Sequence, residues 1–377
     1  MRIVFATGIY PPDSGGPATY TRALGKDLVA SGHTVQVVCY AENNAPSSDD
    51  GFPVVRISRA QPIWKRYWAF MQAVRTAAKE ADFVYLQGPG SDGFPGSLGA
   101  WLAGKPTIMK VVGDYAWEIY SGAGGAELLD TFVTHRHSGK IRMLEAMERF
   151  TSRRAKTIIT PSRYLKGIVE QWGVPSERIT VIYNAVKDAV FGRTREEIRT
   201  DFGVADKRVL LSVIRAVPWK AGDFLIRLLK DLPPDVVLVI AGEGPMLETW
   251  QTIAHQEGVA DRVRLLGRID RTVVAEWYQA SDLFLLATGY EGFPWVVVEA
   301  ASAGLPSIVS DKGGSPETLE LLGKEVVRVR PYQDREAWLE VLRAPWPARV
   351  SGEVLPAVLQ ERVMIAETMK VLQKGYG

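Results

Sequence analysis

Apolar residues recur along the chain in short continuous runs, and the segments between them place apolar residues at helical spacing. The runs cover residues 2–7, 34–40, 83–87, 106–112 and 157–160 in the first half, and 209–213, 236–241, 263–266, 282–288 and 307–310 in the second. Runs of this length, bounded by Gly or Pro, predict parallel strands that are buried on both faces. Strands that alternate with helices predict βα units and doubly wound parallel sheets.

Composition narrows the class of protein. The 377 residues suffice for two domains, each with its own core. Cys39, the single cysteine, rules out an intramolecular disulfide framework, and the four histidines show no metal-ligand spacing. No Asp-x-Asp motif follows a strand in the position that would hold a divalent ion. The chain starts directly with a strand and contains no run of ~18 uncharged apolar residues. We therefore expect a cytoplasmic protein without a signal peptide or a membrane-spanning helix.

The segment from 282 to 310 has the clearest internal order. An apolar strand over 282–288 is broken by 289–294, and a helix is predicted over 295–303. Gly304 is placed at the left-handed position after the helix, where glycine is favoured, and Pro306 prevents the helix from continuing. The segment is thus a strand, a loop, a helix and a second strand.

Two glutamates of this segment are candidates for ligand binding. Glu291 lies in the loop after the strand, where ligands bind in open α/β sheets, and Glu299 lies about one turn into the helix. A carboxylate can accept both hydroxyls of a cis-diol such as ribose. The backbone from Gly292 through Phe293 and Pro294 to the helix start offers amides to an anion. The spacing alone fits two ordinary surface glutamates equally well.

Two cations follow another predicted strand. Arg215 and Lys220 stand five residues apart after the strand over 209–213, and two cations fixed there can neutralise a diphosphate without a metal. Gly15 and Gly16 precede the first helix and would allow a phosphate to approach the backbone closely.

Together these motifs resemble the retaining glycosyltransferases of family 4, whose signature is two glutamates with seven residues between them. The resemblance covers most of the chain and is strongest over 210–317. It implies the GT-B architecture, with two Rossmann-like, doubly wound parallel-sheet α/β domains facing a central cleft. It places an acceptor-side domain over 1–185, a donor domain over 186–355, and a terminal helix over 356–374 that returns to the first domain.

The resemblance also assigns roles. Glu291 would face the hydroxyls of the donor sugar, Glu299 the ribose, and Arg215 with Lys220 the diphosphate. The expected donor-binding residues are Gly15, Gly16, Gly242, Gly244, Arg268, Ile269, Gly292, Phe293, Pro294 and Glu299. The implied reaction moves a sugar from a UDP-, GDP- or ADP-sugar to a hydroxyl of a glycan or lipid-linked acceptor, in polysaccharide or glycolipid biosynthesis, without metal or other cofactor.

Asp114 is the candidate on the acceptor side. Many relatives have a histidine after the strand that here ends at Val112, whereas this chain continues Gly113-Asp-Tyr-Ala-Trp-Glu118. Asp114 would orient or polarise the acceptor hydroxyl. Alternatively, it is only the N-cap of the next helix.

Other functions remain to be compared. A GT-B-like nucleotide-sugar-binding protein without transferase activity would tolerate the loss of Arg215, Lys220, Glu291 or Glu299, yet all four are present. A nucleotide-sugar epimerase of the same architecture is a second alternative. A sugar phosphorylase would need a pyridoxal-phosphate lysine, for which the sequence makes no case.

The predicted acceptor-side domain carries a basic surface. Residues 132–166 contain nine basic and two acidic residues, and Trp64 to Trp68 mix aromatic with basic side chains. Such a mixture suits peripheral association with an anionic membrane. The alternative is that Arg149, Arg153 and Arg154 line a solvated helix while Trp64 and Trp68 pack inward.

Overall fold

The computed structural model describes residues 1–13, 15–42, 50–187, 192–350 and 355–376. The chain divides into two compact units. The N-terminal unit comprises Met1–Tyr120, Phe132–Ile182 and Met364–Gly377, and the C-terminal unit comprises Ser121–Thr131 and Tyr183–Val363.

The N-terminal unit is built on a seven-stranded parallel sheet in the order β3-β2-β1-β4-β5-β6-β7. Its strands are β1 Arg2–Thr7, β2 Thr34–Ala41, β3 Val54–Ser58, β4 Phe83–Leu86, β5 Thr107–Lys110, β6 Thr157–Thr160 and β7 Ile179–Val181. The helices of the first half are α1 Gly16–Ala30, α2 Ile63–Ala78, α3 Gly93–Leu102, α4 Tyr115–Gly122, α5 Leu129–Phe132, α6 Gly139–Arg154 and α7 Arg163–Gln171. The central strands β4 and β5 are buried along their whole length, as continuous apolar runs require.

The C-terminal unit has a six-stranded parallel sheet in the order β10-β9-β8-β11-β12-β13. Its strands are β8 Arg208–Val213, β9 Val236–Ala241, β10 Val263–Gly267, β11 Leu283–Leu286, β12 Ser307–Ser310 and β13 Val327–Arg330. The helices of the second half are α8 Arg195–Asp201, α9 Gly222–Leu228, α10 Leu247–Gln256, α11 Arg271–Ala280, α12 Trp295–Ser302, α13 Glu317–Leu322, α14 Arg335–Arg343 and α15 Glu361–Tyr376. The prediction of two doubly wound parallel sheets is confirmed.

Strand order fixes where each unit can bind a ligand. In the N-terminal sheet the order reverses between β1 and β4, and in the C-terminal sheet between β8 and β11. At such a switch point the loops after the two strands diverge to opposite faces and leave a crevice at the carboxyl edge. The loops after β1, β4, β8 and β11 are therefore the places to look for function.

The division of the chain differs from the predicted boundaries in two places. The main boundary falls after Ile182 instead of after residue 185, and Ser121–Thr131 groups with the C-terminal unit although 1–185 was predicted as one domain. The terminal helix begins at Glu361 instead of 356 because a single 3-10 turn, Ala357–Leu359, precedes it. From Met364 onward this helix belongs to the N-terminal unit.

Candidate functional site

The switch point of the C-terminal sheet brings Lys220 and Glu291 together. Lys220 follows β8 and Glu291 follows β11, and the Lys220 ammonium donates to a carboxylate oxygen of Glu291. The lysine side chain is only 9% exposed and the glutamate side chain 19%. An ion pair this far from water holds both side chains in place, because separating them would leave a half-buried charge alone.

The backbone around this ion pair is held by hydrogen bonds between the two loops. The amide of Gly289 donates to the carbonyl oxygen of Trp219 at 2.7 Å. The amide of Gly314, in the loop after β12, donates to the carbonyl of Glu291 at 2.8 Å. Gly313 has φ +64°, and a Cβ there would lie 2.3 Å from the same carbonyl oxygen. Position 313 therefore requires glycine for Glu291 to keep its place.

Arg215 supplies a second cation at the same sheet edge. Its guanidinium lies 5.7 Å from the ring centroid of Trp219, whose side chain is buried. Arg215 itself is exposed, and no carboxylate pairs with it in the part of the chain that the structure describes. An exposed, unpaired arginine beside a paired lysine leaves net positive charge available to an anionic ligand.

Glu299 is held by two residues that the sequence analysis missed. It lies in α12, and its side chain is 24% exposed. The Tyr278 hydroxyl donates to one carboxylate oxygen at 3.0 Å, and the Arg271 guanidinium lies 3.1 Å from the other. The Arg271 side chain is 71% exposed, so a ligand hydroxyl can take its place at little cost. Only the tertiary structure, which brings these side chains of α11 to Glu299, reveals this pair, since no motif marks either residue.

Gly242 and Gly244 serve the loop after β9. Their φ angles are +136° and +153°, and a Cβ would lie 1.9 Å from the Ile214 carbonyl oxygen and 2.3 Å from that of Ala216. Both glycines therefore allow this loop to pass directly over the backbone that leads into Arg215. Their role in the structure is close backbone packing beside the cations.

The remaining predicted donor residues lie in two loops of the same unit. Arg268 is exposed and forms a 3.7 Å ion pair with Glu243, while Ile269 is half-buried against the core. Phe293 and Pro294 are buried, and the Asn184 side-chain amide donates to the Phe293 carbonyl at 3.3 Å.

One expectation about this loop needs correction. The predicted run of backbone amides from Gly292 to the start of α12 is interrupted, because Pro294 has no amide hydrogen. The structure also ends the helix at Ser302, one residue before the predicted end, and Gly304 has the predicted left-handed conformation with φ +70°.

In the N-terminal unit Asp114 caps a helix and shares its amides with a second carboxylate. Asp114 accepts from the Trp117 amide at 2.8 Å, and Glu148 accepts from the amides of Tyr115 and Ala116 at 2.6 and 3.2 Å. Both carboxyl groups are buried. Burial is the main cause that raises the pKa of Asp114 to about 6 and the pKa of Glu148 well above its usual value.

Glu148 was not a predicted site residue, although it is one of only two carboxylates in a helix with several basic residues. The capping geometry that the sequence analysis offered as the alternative for Asp114 is thus present. Capping and a role toward the acceptor are compatible, because the cap occupies only Oδ1.

Gly15 and Gly16 stand at the start of α1. Gly15 has φ +152°, and a Cβ there would lie 2.7 Å from a side-chain carbon of Ile9, whereas Gly16 is exposed with open space around it. Both glycines are exposed, so the backbone at the start of α1 is accessible at both positions.

Two features are absent from the described residues. These residues contain no group of three or more His, Cys, Asp or Glu side chains that could hold a metal ion. None of their helices combines the length and the apolar character needed to cross a bilayer.

Comparison with models of known protein families identifies the family of this chain. Residues 15–185 match the model described as glycosyl transferase 4-like domain, and residues 194–341 match the model described as glycosyl transferases group 1. Together the two matches cover most of the chain. The chain belongs to glycosyltransferase family 4.

Individual relatives agree with this assignment. The chain is 27% identical to an uncharacterised glycosyltransferase of Methanocaldococcus jannaschii, over 90% of this chain and 87% of that one. It is 24% identical to a GDP-mannose-dependent alpha-(1-6)-phosphatidylinositol monomannoside mannosyltransferase of Mycolicibacterium smegmatis, over 84% and 82%. The structure of HepE from Anabaena in complex with UDP superposes with a TM-score of 0.79 at 19% identity, covering 99% of this chain and 100% of that one. This glycosyltransferase therefore has the GT-B fold.

Proposed function

We propose that this glycosyltransferase moves a sugar from a nucleotide-diphosphate sugar to a hydroxyl of a glycan or lipid-linked acceptor, with retention of configuration at the anomeric carbon. The observation that carries the proposal is the joint placement of Arg215, Lys220 and Glu291 at the switch point of the C-terminal sheet, with Glu299 on the helix that follows. The names of the relatives, which include a GDP-mannose-dependent enzyme and a UDP complex, support the donor class.

In the proposed reaction the bond between the anomeric carbon and the phosphate oxygen breaks, and its electron pair stays on the departing diphosphate. The acceptor oxygen forms the new bond, and its proton passes to that diphosphate. Arg215 and Lys220 stabilise the growing negative charge, since preorganised cations act more strongly in a site shielded from water. Glu291 orients the donor sugar by accepting from its hydroxyls, and Glu299 accepts from the ribose.

The ion pair between Lys220 and Glu291 adds a step to this scheme. A lysine ammonium has three donors, and one of them is on Glu291. A bound diphosphate competes with Glu291 for Lys220, and the carboxylate that is partly released is then free for the sugar hydroxyls. Donor binding would thus replace the hydrogen bond between Lys220 and Glu291 by two new sets, one from Lys220 to the diphosphate and one from the sugar hydroxyls to Glu291.

Incubation with radiolabelled UDP-, GDP- and ADP-sugars, without acceptor, tests the proposal. A transferase slowly hydrolyses its true donor and releases free sugar with the configuration of the donor. An epimerase would instead return an epimerised sugar, and a binding protein would leave the donor intact. Either of these two outcomes would contradict the proposal.

We further propose that the N-terminal unit associates peripherally with an anionic membrane. Of the eight large apolar side chains that are exposed in the described residues, seven lie on α2, α3 and α6. The seven are Ile63, Trp64, Trp68, Trp101, Leu102, Met143 and Phe150.

The charges on the same helices fit an anionic surface. α2 and α3 contain no acidic residue, and the two glutamates of α6, Glu145 and Glu148, are not exposed. The guanidinium of Arg154 lies 5.3 Å from the Trp101 ring centroid and 5.4 Å from that of Phe150, which joins cationic and aromatic groups in one place. Trp64 and Trp68 are 68% and 61% exposed, so the inward packing considered from the sequence is wrong.

A further inference from the structure

The switch point of the N-terminal sheet holds a buried carboxylate oxygen without a partner. Asp92 follows β4 at the start of α3 and is 7% exposed. Its Oδ1 lies against Gly8, in the loop after β1, where an added Cβ would be 3.3 Å away. Its Oδ2 has no hydrogen-bond partner among the described residues. Burial raises the pKa of Asp92 to about 7, and the backbone amides of Gly8 and Gly93 act in the opposite direction.

A free buried carboxylate oxygen costs stability. An unsatisfied buried polar atom is disfavoured because it has lost water without gaining a partner. Such an atom at a switch point, where ligands bind in this class of fold, is a reason to look for a ligand hydroxyl.

Three tyrosines surround the Asp92 loop. The Tyr40 hydroxyl donates to the carbonyl of Ser91 at 2.9 Å. Tyr115 packs so closely on the loop that a Cβ at Gly90 would lie 2.7 Å from its ring. Tyr67 is half-buried on the first turns of α2. Aromatic rings and a polar group at one place are typical of sugar-binding sites.

Arg66 brings an uncompensated cation to the same cluster. Its guanidinium carbon lies 5.2 Å from the Tyr40 ring centroid, and its Nε is buried without an acceptor. Within the described ranges no carboxylate pairs with Arg66, whereas the nearby Arg59 is paired with Asp13 at 2.6 Å. A half-buried arginine with an open donor is suited to a phosphate.

The charges of Asp92 and Arg66 both act on the hydroxyls of the three tyrosines. Burial is the first cause that raises the pKa of Tyr67 to about 12, and it also raises the pKa of Tyr40 and Tyr115. On all three hydroxyls the charge of Asp92 acts in the same direction as burial, and the charge of Arg66 acts against it.

We propose that Asp92, Arg66 and the rings of Tyr67 and Tyr115 form an acceptor subsite for a sugar that carries a phosphate. The proposal rests on the transferase function proposed above. In this subsite the unpartnered oxygen of Asp92 accepts a sugar hydroxyl, Arg66 binds the phosphate, and the half-buried rings of Tyr67 and Tyr115 cover the apolar face of the sugar. Tyr40 is buried against Phe70 and holds the loop through Ser91. Trp64 and Trp68 flank Arg66 on α2 and are exposed, which suits an acceptor whose phosphate is attached to a lipid.

Binding measurements with defined probes test the subsite. Calorimetry compares the binding of hexose 1-phosphates with that of the matching methyl hexosides. Saturating nucleoside diphosphate is present so that the donor site is occupied. We expect the phosphate-bearing probes to bind. Arg66→Met and Asp92→Asn should each weaken this binding at least tenfold, and Arg66→Met should leave the methyl hexosides unaffected. Arg75→Met, on the same helix, is the matched control and should have no effect.

A second binding measurement distinguishes a lipid-linked acceptor from a free sugar phosphate. A decyl hexosyl diphosphate that binds at least tenfold more tightly than the free hexose 1-phosphate indicates a lipid-linked acceptor, and equal affinity indicates a free sugar phosphate. Unchanged probe affinity in folded Arg66→Met, or no binding of any probe to the natural protein, would overturn the subsite.

The two proposals can fail separately. Donor hydrolysis without acceptor depends on the C-terminal unit, so its presence together with unchanged probe affinity in Arg66→Met rejects only the subsite. If Asp92→Asn does not fold, Tyr67→Ala replaces it, because that side chain is only half-buried.

Discussion

The two switch points of this glycosyltransferase differ in whether their buried polar groups have partners. In the C-terminal unit Lys220 is paired with Glu291, and Glu299 with Arg271 and Tyr278. In the N-terminal unit one oxygen of Asp92 and the Nε of Arg66 are buried without partners. Paired charges keep their geometry without a ligand, whereas unpaired ones are stabilised only when a ligand supplies the missing contacts.

This contrast suggests a division of labour. Under the proposed function, the donor is bound by charged groups that hold one another in place, and the acceptor by groups that are satisfied only when it binds. The following predictions test the contrast, from the largest expected effect to the smallest.

Removing the charge of Glu291 should separate catalysis from donor binding. We expect Glu291→Gln to lower kcat by about two to three orders of magnitude, the size of effect seen when one preorganised polar group is lost. Affinity for the nucleoside diphosphate should not fall, because Lys220 loses its competitor. Initial rates and calorimetry measure the two quantities, with the exposed Glu336→Gln as control. A parallel loss of both would show that the ion pair only supports the fold.

The basic residues of α6 should contribute strongly to membrane binding. Replacing Arg142, Arg149 and Arg154 by Gln should weaken binding to anionic vesicles by about 3 kcal/mol, at roughly 1 kcal/mol for each charge. Arg153, considered from the sequence, is left intact because it donates to the Trp172 carbonyl at 2.8 Å. Vesicle sedimentation measures the effect.

The control for the membrane prediction is a variant with the same charge change in the other unit, Arg227, Lys230 and Arg335 to Gln. Recovery of all the natural protein in the supernatant, at low salt with anionic vesicles, would contradict membrane association.

Loss of the Glu299 carboxylate should weaken donor binding. We expect Glu299→Ala to cost about 1.5–3 kcal/mol of nucleoside diphosphate affinity, the range for hydrogen bonds to a charged group. Tyr278→Phe, which removes only one donor to Glu299, should cost less. Calorimetry with the nucleoside diphosphate decides, and unchanged affinity in Glu299→Ala would refute the ribose assignment.

The buried pair of Asp114 and Glu148 should make stability depend on pH. Their folded-state pKa values are raised, so their stabilising contribution is present below about pH 4 and is lost as the pH rises through about 6. Asp114→Asn retains the cap but carries no charge. We expect its stability relative to the natural protein to be higher at pH 8 than at pH 4.5, by roughly 1–3 kcal/mol. Denaturant unfolding at the two pH values measures this, and an equal difference at both would contradict the assignment.

Chelation should have the smallest effect. If Arg215 and Lys220 carry the leaving-group charge, activity should survive EDTA within a few-fold. Complete loss that manganese restores would show that the diphosphate is neutralised by a metal instead.

The sequence by itself determined the framework and the placement of Glu291 and Glu299 in one strand-loop-helix segment. Continuous apolar runs specify strands buried on both faces, and Gly304 ends α12 because glycine adopts positive φ without strain. Glu291 and Glu299 could be found because they belong to one short segment. The alternation of strands and helices predicted parallel sheets, whereas the order of the strands came only from the structure.

Only the tertiary structure decided what those residues contact. Lys220 and Glu291 are 71 residues apart, and Arg271 and Glu299 are 28 apart, so no local pattern records either pair. Glu148, Arg66 and Asp92 are ordinary in sequence and become distinctive only through burial. Burial and pairing depend on which segments pack together, and sequence periodicity reports which face of an element is covered but not by what.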